Sequence, residues 1–142
     1  MVNYEKKYHK YKQKYLNLNE NTHHFSFRDP HGYPLMQQII DGTKTVEGRK
    51  NSEIYQKVKV GDTIILKDNN RGAEIACLIK AIRKYPDIKT YLENEIKNAL
   101  PSASTINEGL DVYHTFIKDE EIQNLKDKYG YGFIAFEISF IK

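Results

Sequence analysis

Between Gly42 and Arg49 the chain reads Gly-Thr-Lys-Thr-Val-Glu-Gly-Arg. Two cations and one carboxylate, Lys44, Glu47 and Arg49, stand close together there. Alternate residues of a strand share a face. An extended Thr43–Arg49 therefore puts Thr45, Glu47 and Arg49 on one side, with Lys44 and Val46 on the other. A guanidinium offers a bidentate fork to a phosphate or a base edge. Glu47 can orient that fork, accept from a base amino group, or act as a base. Lys44, at the junction of helix and strand, can reach the mouth of a cleft. The same spacing also suits a salt bridge on a solvated strand face, which contributes little to stability.

Other residues can join such a site. Tyr113 either stacks on a base, worth about 1–3 kcal/mol, or serves as a core tyrosine on an amphipathic helix. Ser102 and Ser104 can touch phosphate or cap a helix. Arg83 and Tyr85 are further candidates for the rim. The histidines are His9, His23, His24, His31 and His114. None has the spacing of a two-ligand helix, and the single cysteine, Cys77, falls in a predicted strand. A metal site needs three or four converging ligands, so no metal and no cofactor is expected. No glycine-rich phosphate loop is present, which argues against nucleotide hydrolysis.

The elements that must position these residues follow from patterning. His24–Arg28 alternates, with Phe25 and Phe27 on one side, and predicts a first strand. Asp29-Pro30 predicts a helix start, and Leu35, Met36, Ile39 and Ile40 its buried face, with Gly42 ending it. Thr43–Arg49 is a second predicted strand. Lys59–Asp62 is a turn feeding a strand over Thr63–Lys67, and Asn69–Gly72 is a hairpin loop into a long strand over Ala73–Lys84. Ile88, Tyr91, Leu92 and Ile96 predict a helix stopped near Leu100-Pro101. Ser104 or Thr105 caps a helix carrying Ile106, Leu110, Tyr113 and Phe116. Asp119–Lys128 is a further helix, and Gly132–Ile141 a closing strand. About five strands interrupted by helices give a mixed α+β architecture, a small barrel flanked by helices.

Composition bounds the rest. The chain has 142 residues, 39% hydrophobic and 29% charged, which suits one domain with one core. One cysteine allows no internal disulfide, and no apolar run approaches the roughly 20 residues that span a bilayer. The N-terminus is basic and tyrosine-rich rather than apolar, unlike a secretory signal. A soluble, cytoplasmic protein without membrane contact is expected. The net charge of +3 is uneven, because Met1–Leu18 holds five lysines against one glutamate and leaves the remainder at −1. Within that segment Tyr4, Tyr8, Tyr11, Tyr15 and Leu18 fall on one helical stripe. Residues 1–22 thus form a basic, tyrosine-rich helical tail and linker, and residues 23–142 the domain. The tail either packs and solubilises, or offers rings and cations to a protein or nucleic acid. Its composition resembles Lys/Tyr-rich segments of large nucleocytoplasmic DNA viruses, which would place the protein in a host cytoplasm.

The order helix, Gly42, Thr43–Arg49, then Val60-Gly61-Asp62 resembles the ASCH family of the PUA-like superfamily. That family carries a Gly-x-Lys-x-x-Glu-x-Arg motif after its first helix, a Gly-Asp turn, and a late Tyr-x-x-Phe element, here Tyr113–Phe116. The resemblance spans Phe25 to Ile141. It implies a small PUA-like mixed β-barrel with a charged cleft for RNA or a modified nucleoside. In that cleft Arg49, Tyr113, Ser102 and Thr45 would contact ligand. Some similar bacterial proteins remove an acetyl group from N4-acetylcytidine. They match at Lys44 and Arg49 but carry a threonine nucleophile where this chain has Glu47. A carboxylate nucleophile would give an anhydride, so Glu47 would instead activate water while Lys44 stabilises the oxyanion. The partner acid of those enzymes falls near Pro101–Ser104, where this chain has no acidic residue. Binding of RNA or a nucleoside is the first expectation. A small hydrolase, N4-acetylcytidine amidohydrolase-like or RNA-processing, with Lys44 and Glu47 as the catalytic pair is the second. A protein-interaction domain acting through the tail is the third.

Overall fold

In the computed structural model, which describes residues 21–142, five strands form one sheet in the order β1-β3-β4-β5-β2. The strands are β1 (Thr22–Ser26), β2 (Val46–Lys50), β3 (Thr63–Asp68), β4 (Ala73–Tyr85) and β5 (Phe133–Phe140). β1 runs parallel to β3, and every other pair is antiparallel. A register irregularity between Ile79 and Ala81 interrupts the long β4, a feature that bends a strand and increases its twist. The sheet curls into a half-barrel whose edges, β1 and β2, are brought together by side chains. Phe25 of β1 packs on Phe136 of β5, with centroids 5.9 Å apart, and the Arg49 guanidinium of β2 lies 5.0 Å from the Phe25 centroid.

Among the described residues five helices flank the sheet: α1 (Leu35–Asp41), α2 (Glu53–Gln56), α3 (Ile88–Ala99), α4 (Ile106–His114) and α5 (Asp119–Tyr129). Their ends follow capping chemistry. Asp87 accepts from Thr90 N at the start of α3, and Thr105 accepts from Glu108 N at the start of α4. Gly42 closes α1 in the left-handed conformation, φ 83°, which a side chain adopts only with strain. The core joins Ile64, Leu66 and Ile79 of the sheet's middle strands to Phe133 and Phe136 of β5 and to Tyr91 and Leu92 of α3.

The structure moves three sequence expectations. β1 covers Thr22–Ser26 rather than His24–Arg28, although Phe27 N still bonds Lys67 O of β3 at 2.8 Å. α1 begins at Leu35 rather than Pro30, because a turn at His31-Gly32 intervenes; Asp29 still caps the helix from a distance, accepting from Met36 N at 3.1 Å. β2 begins at Val46 rather than Thr43, because the Thr43 and Lys44 N–H groups both bond Gln38 O and complete the end of α1. The short α2 was not foreseen in the sequence. The tyrosine stripe from Tyr4 to Leu18 lies outside the described residues. Among the described residues no helix is long and apolar enough to cross a membrane.

Candidate functional site

Where β1 and β2 face each other the half-barrel leaves a cleft of about 450 Å³. Its walls come from distant parts of the chain. β2 supplies Glu47, Gly48, Arg49 and Lys50; the end of β1 and its following loop supply Phe27 and Arg28; α2 supplies Tyr55. The β3–β4 hairpin tip adds Asn69 and Asn70, and α4 with its following loop adds Val112, Tyr113, Phe116 and Ile117.

Lys44, Glu47 and Arg49 form one ionic chain. Glu47 Oε1 lies 3.1 Å from Lys44 Nζ. Glu47 Oε2 accepts from Arg49 Nη2 at 2.7 Å and Arg49 Nε at 3.1 Å. The contact between Lys44 and Glu47 follows from the shifted start of β2. Lys44 precedes the strand, so alternation does not send it to the opposite face. Nor does it reach the cleft mouth: the residue is 1% exposed, and its ammonium donates to Val46 O at 2.5 Å and Ala99 O at 2.7 Å. These two carbonyls and Glu47 take all three of its N–H donors. Arg49 donates through Nη1 to Tyr55 Oη at 3.2 Å, and its guanidinium lies over the rings of Phe25 and Tyr55. Three of its five N–H groups are thereby committed, and the other two have no hydrogen bond among the described residues.

Protonation follows from these neighbours. Burial raises the pKa of Glu47, but the charges of Lys44 and Arg49 and their hydrogen bonds outweigh it, so Glu47 is held below the ordinary glutamate value. Burial pushes the Lys44 pKa down, and the Glu47 charge offsets only part of that. For Arg49 burial acts downward too, yet Glu47 and Tyr55 carry the balance upward. The site is an ionised triad, with one carboxylate shared by two cations.

Beside the triad the aromatic wall is rigid. Tyr113 Oη shares a 2.7 Å hydrogen bond with Tyr91 Oη of α3, and the Tyr113 ring meets Phe133 edge-on. Burial, then the Glu47 charge, raises the Tyr113 pKa, so the phenol stays protonated. Gly48 makes this arrangement possible. A Cβ there would fall 2.5 Å from Tyr91 Oη and 2.7 Å from a Phe133 ring carbon, so only a glycine lets those rings lie against β2. At the rim, Phe116 is 46% exposed, and the Arg28 guanidinium sits 5.5 Å from its centroid.

Of the residues singled out in the sequence, Glu47, Arg49 and Tyr113 meet at the cleft, with Lys44 directly beneath. Thr45 does not line it; its backbone binds Asn98 O and Ile138 N. Ser102 lies apart, accepting from Gln38 Nε2 at 2.8 Å. Arg83 and Tyr85 are likewise away from the cleft, both bonded to Glu95 on α3. The Pro101–Ser104 loop does have a carboxylate nearby: Glu108, one turn into α4, accepts from Ser104 N and Tyr33 Oη. His23 pairs with Asp62 and His114 with Asp119. Among the described residues no three His, Cys, Asp or Glu side chains converge on one point. Sequence reasoning missed Arg28, Gly48, Tyr55, Tyr91 and the Asn69-Asn70 tip. The Gly between Glu47 and Arg49 was the one available signal, since glycine inside a strand marks a close approach.

A five-stranded sheet curled into a half-barrel and flanked by helices matches the PUA-like class of fold. The ASCH domain family model matches residues 33–140, and the chain belongs to that family. The crystal structure of the hypothetical protein PH0355 is 31% identical, with a TM-score of 0.69 over 84% of this chain and 99% of that one. The solution structure of protein PF0455 from Pyrococcus furiosus is 29% identical, with a TM-score of 0.62 over 85% and 98%. An ASCH domain from Lactobacillus crispatus shares the fold at 11% identity, with a TM-score of 0.63 over 90% and 89%. No curated protein matches the chain significantly.

Proposed function

We propose that the cleft binds a nucleobase, presented by RNA or by a modified nucleoside, and holds it without chemical change. The observation that carries this reading is the Glu47–Arg49 pair, fixed from below by Lys44 and placed beside the Tyr113 ring in one cleft. A base edge presents donors and acceptors in a plane. A carboxylate with lone pairs to spare and a guanidinium with two free N–H groups match such an edge. The exposed Phe116 supplies a ring on which a base stacks, with the mostly buried Tyr113 beside it in the cleft wall.

The same contacts weigh against hydrolysis by Lys44 and Glu47. A lysine that stabilises an oxyanion must have an N–H to turn toward it, and all three of Lys44 are taken. A carboxylate activates water best when its pKa lies near the working pH, and Glu47 is held in the opposite direction. Thr45 and Ser102, which the resemblance assigned to ligand contact, gain no support from their positions. The viral source rests on tail composition alone.

Titration of the full chain with single-stranded RNA oligomers, cytidine and N4-acetylcytidine tests the reading. Binding that weakens with salt for RNA, weakens in Arg49→Lys, and returns every ligand intact supports it. Absence of binding to all of them sinks it. Deacetylation of N4-acetylcytidine that disappears in Lys44→Ala would replace it with the hydrolase reading.

A further inference from the structure

Resting on that reading, we propose that Arg28, with the Asn69-Asn70 hairpin tip, forms a phosphate subsite, so that the cleft takes a nucleotide unit rather than a bare nucleoside. The cations of the cleft are unequal. Arg49 shares the Glu47 carboxylate with Lys44 beneath it, and Lys50 pairs with Glu121 at 2.5 Å. Arg28 alone lines the cleft with no carboxylate partner among the described residues; its contact is the face of Phe116. That ring keeps the exposed guanidinium at the rim, and a cation over a ring face still has its N–H donors to offer an anion.

The neighbouring carboxylates are both held by Arg71 rather than by Arg28. Asp29 and Asp68 are the acids next to the subsite in the chain, and neither lines the cleft. Asp29 accepts from Met36 N and Arg71 Nη2. Asp68 accepts from Asn70 N, Arg71 N and Arg71 Nε. Arg71 thus ties the hairpin tip to the loop after β1 through both acids. The tip is thereby held against the cleft, with the exposed Asn69 and Asn70 in its wall. Their amides supply uncharged donors beside one fixed cation. A phosphate accepts strongly from such a set, whereas the hydroxyl of an unphosphorylated ribose gains little from the charge.

The experiment compares each of the four ribonucleosides with its 5′-monophosphate, and with a dinucleotide whose only phosphate is the internal diester. Each is titrated against the full chain and its Arg28→Gln and Arg28→Lys variants, with inorganic phosphate as a competitor. The expected result is a phosphate-bearing ligand bound about tenfold more tightly than its nucleoside. Arg28→Gln erases that ratio, the nucleoside and its nucleotide being compared within the same variant, and Arg28→Lys keeps most of it. Competition by inorganic phosphate should lower nucleotide affinity only to the nucleoside level. The monophosphate and the dinucleotide then tell whether a terminal or an internal phosphate occupies the subsite. Equal affinity for nucleoside and nucleotide overturns the subsite and leaves base binding standing. A ratio unchanged in Arg28→Gln overturns it as well. If no ligand binds, base recognition and the subsite fall together.

Discussion

Removing Glu47 exposes what its two cations cost. Lys44 and Arg49 are both withdrawn from water, and the stability of that arrangement depends on the one carboxylate between them. Breaking a buried ionic group by removing one partner costs about 3–5 kcal/mol, because the charge left behind has no compensation. Glu47→Gln should lose an amount of that order in equilibrium urea unfolding at neutral pH. The pH dependence has a defined sign. The folded pKa of Glu47 lies below its unfolded value, so its contribution is present above the ordinary glutamate range and is lost as pH falls through the folded value. Lys44 acts differently: its folded pKa is also depressed, so the unfolded chain holds that proton more tightly, and the penalty fades as pH rises toward the ordinary lysine range. On acidification from neutral the wild type should therefore lose stability more steeply than Glu47→Gln, and equal slopes would contradict the ionised triad. Gly48 gives a second test at this scale. A methyl at that position must displace Tyr91 or Phe133, and overpacking of this kind costs about 1–3 kcal/mol. Gly48→Ala should lower the unfolding midpoint and alter the near-UV tyrosine signal, since Tyr91 orients Tyr113. The triad's members were legible in the sequence as a charged cluster, but the depth of Lys44 was not. Alternation was counted from Thr43, whereas the backbone of Thr43 and Lys44 still belongs to the end of α1.

The same junction shows what capping chemistry reveals and what it hides. Gly42, Asp87, Thr105 and Gly130 all end or begin helices where their residue types require, so the element order was readable before any coordinates. The short α2 carried no comparable signal. A four-residue helix has no periodicity to detect, and Tyr55 is recognisable only through Arg49 and Phe25, which meet it across the seam. Gly42 matters beyond termination. Its left-handed turn lets Thr43 and Lys44 bond back to Gln38 O, and this return aims Lys44 under β2. Gly42→Ala should cost about 1 kcal/mol in thermal or urea unfolding, from the strain of a side chain at positive φ. Gly42→Asn, which tolerates that conformation better, should cost less. An alanine variant as stable as the wild type would mean that the turn does not set the junction.

At the scale of the whole molecule, the cleft exists because the sheet curls until its first and last strands face each other. Arg28 and Phe116, or Arg49 and Phe25, are far apart in the chain and become neighbours only through that closure. For this reason Arg28 and the Asn69-Asn70 tip could not be read from spacing. Charge, by contrast, was readable throughout: the lysines of Met1–Leu18 carry the chain's positive excess, and the remainder is slightly acidic. On the proposed reading the domain recognises a base through its local cleft, while the basic segment Met1–Leu18 would add attraction that is blind to sequence. The two contributions separate by salt. Each phosphate neutralised on a single strand adds about 0.7 to the magnitude of the slope of log affinity against log salt. Replacing Lys6, Lys7, Lys10, Lys12 and Lys14 by glutamine in the full chain should flatten that slope for a long RNA oligomer and weaken its binding at low salt. Binding of a mononucleotide, which engages the cleft alone, should not change. If the five substitutions instead abolish mononucleotide binding, the tail is part of the site; if they leave the RNA slope untouched, the tail lysines do not meet RNA phosphates.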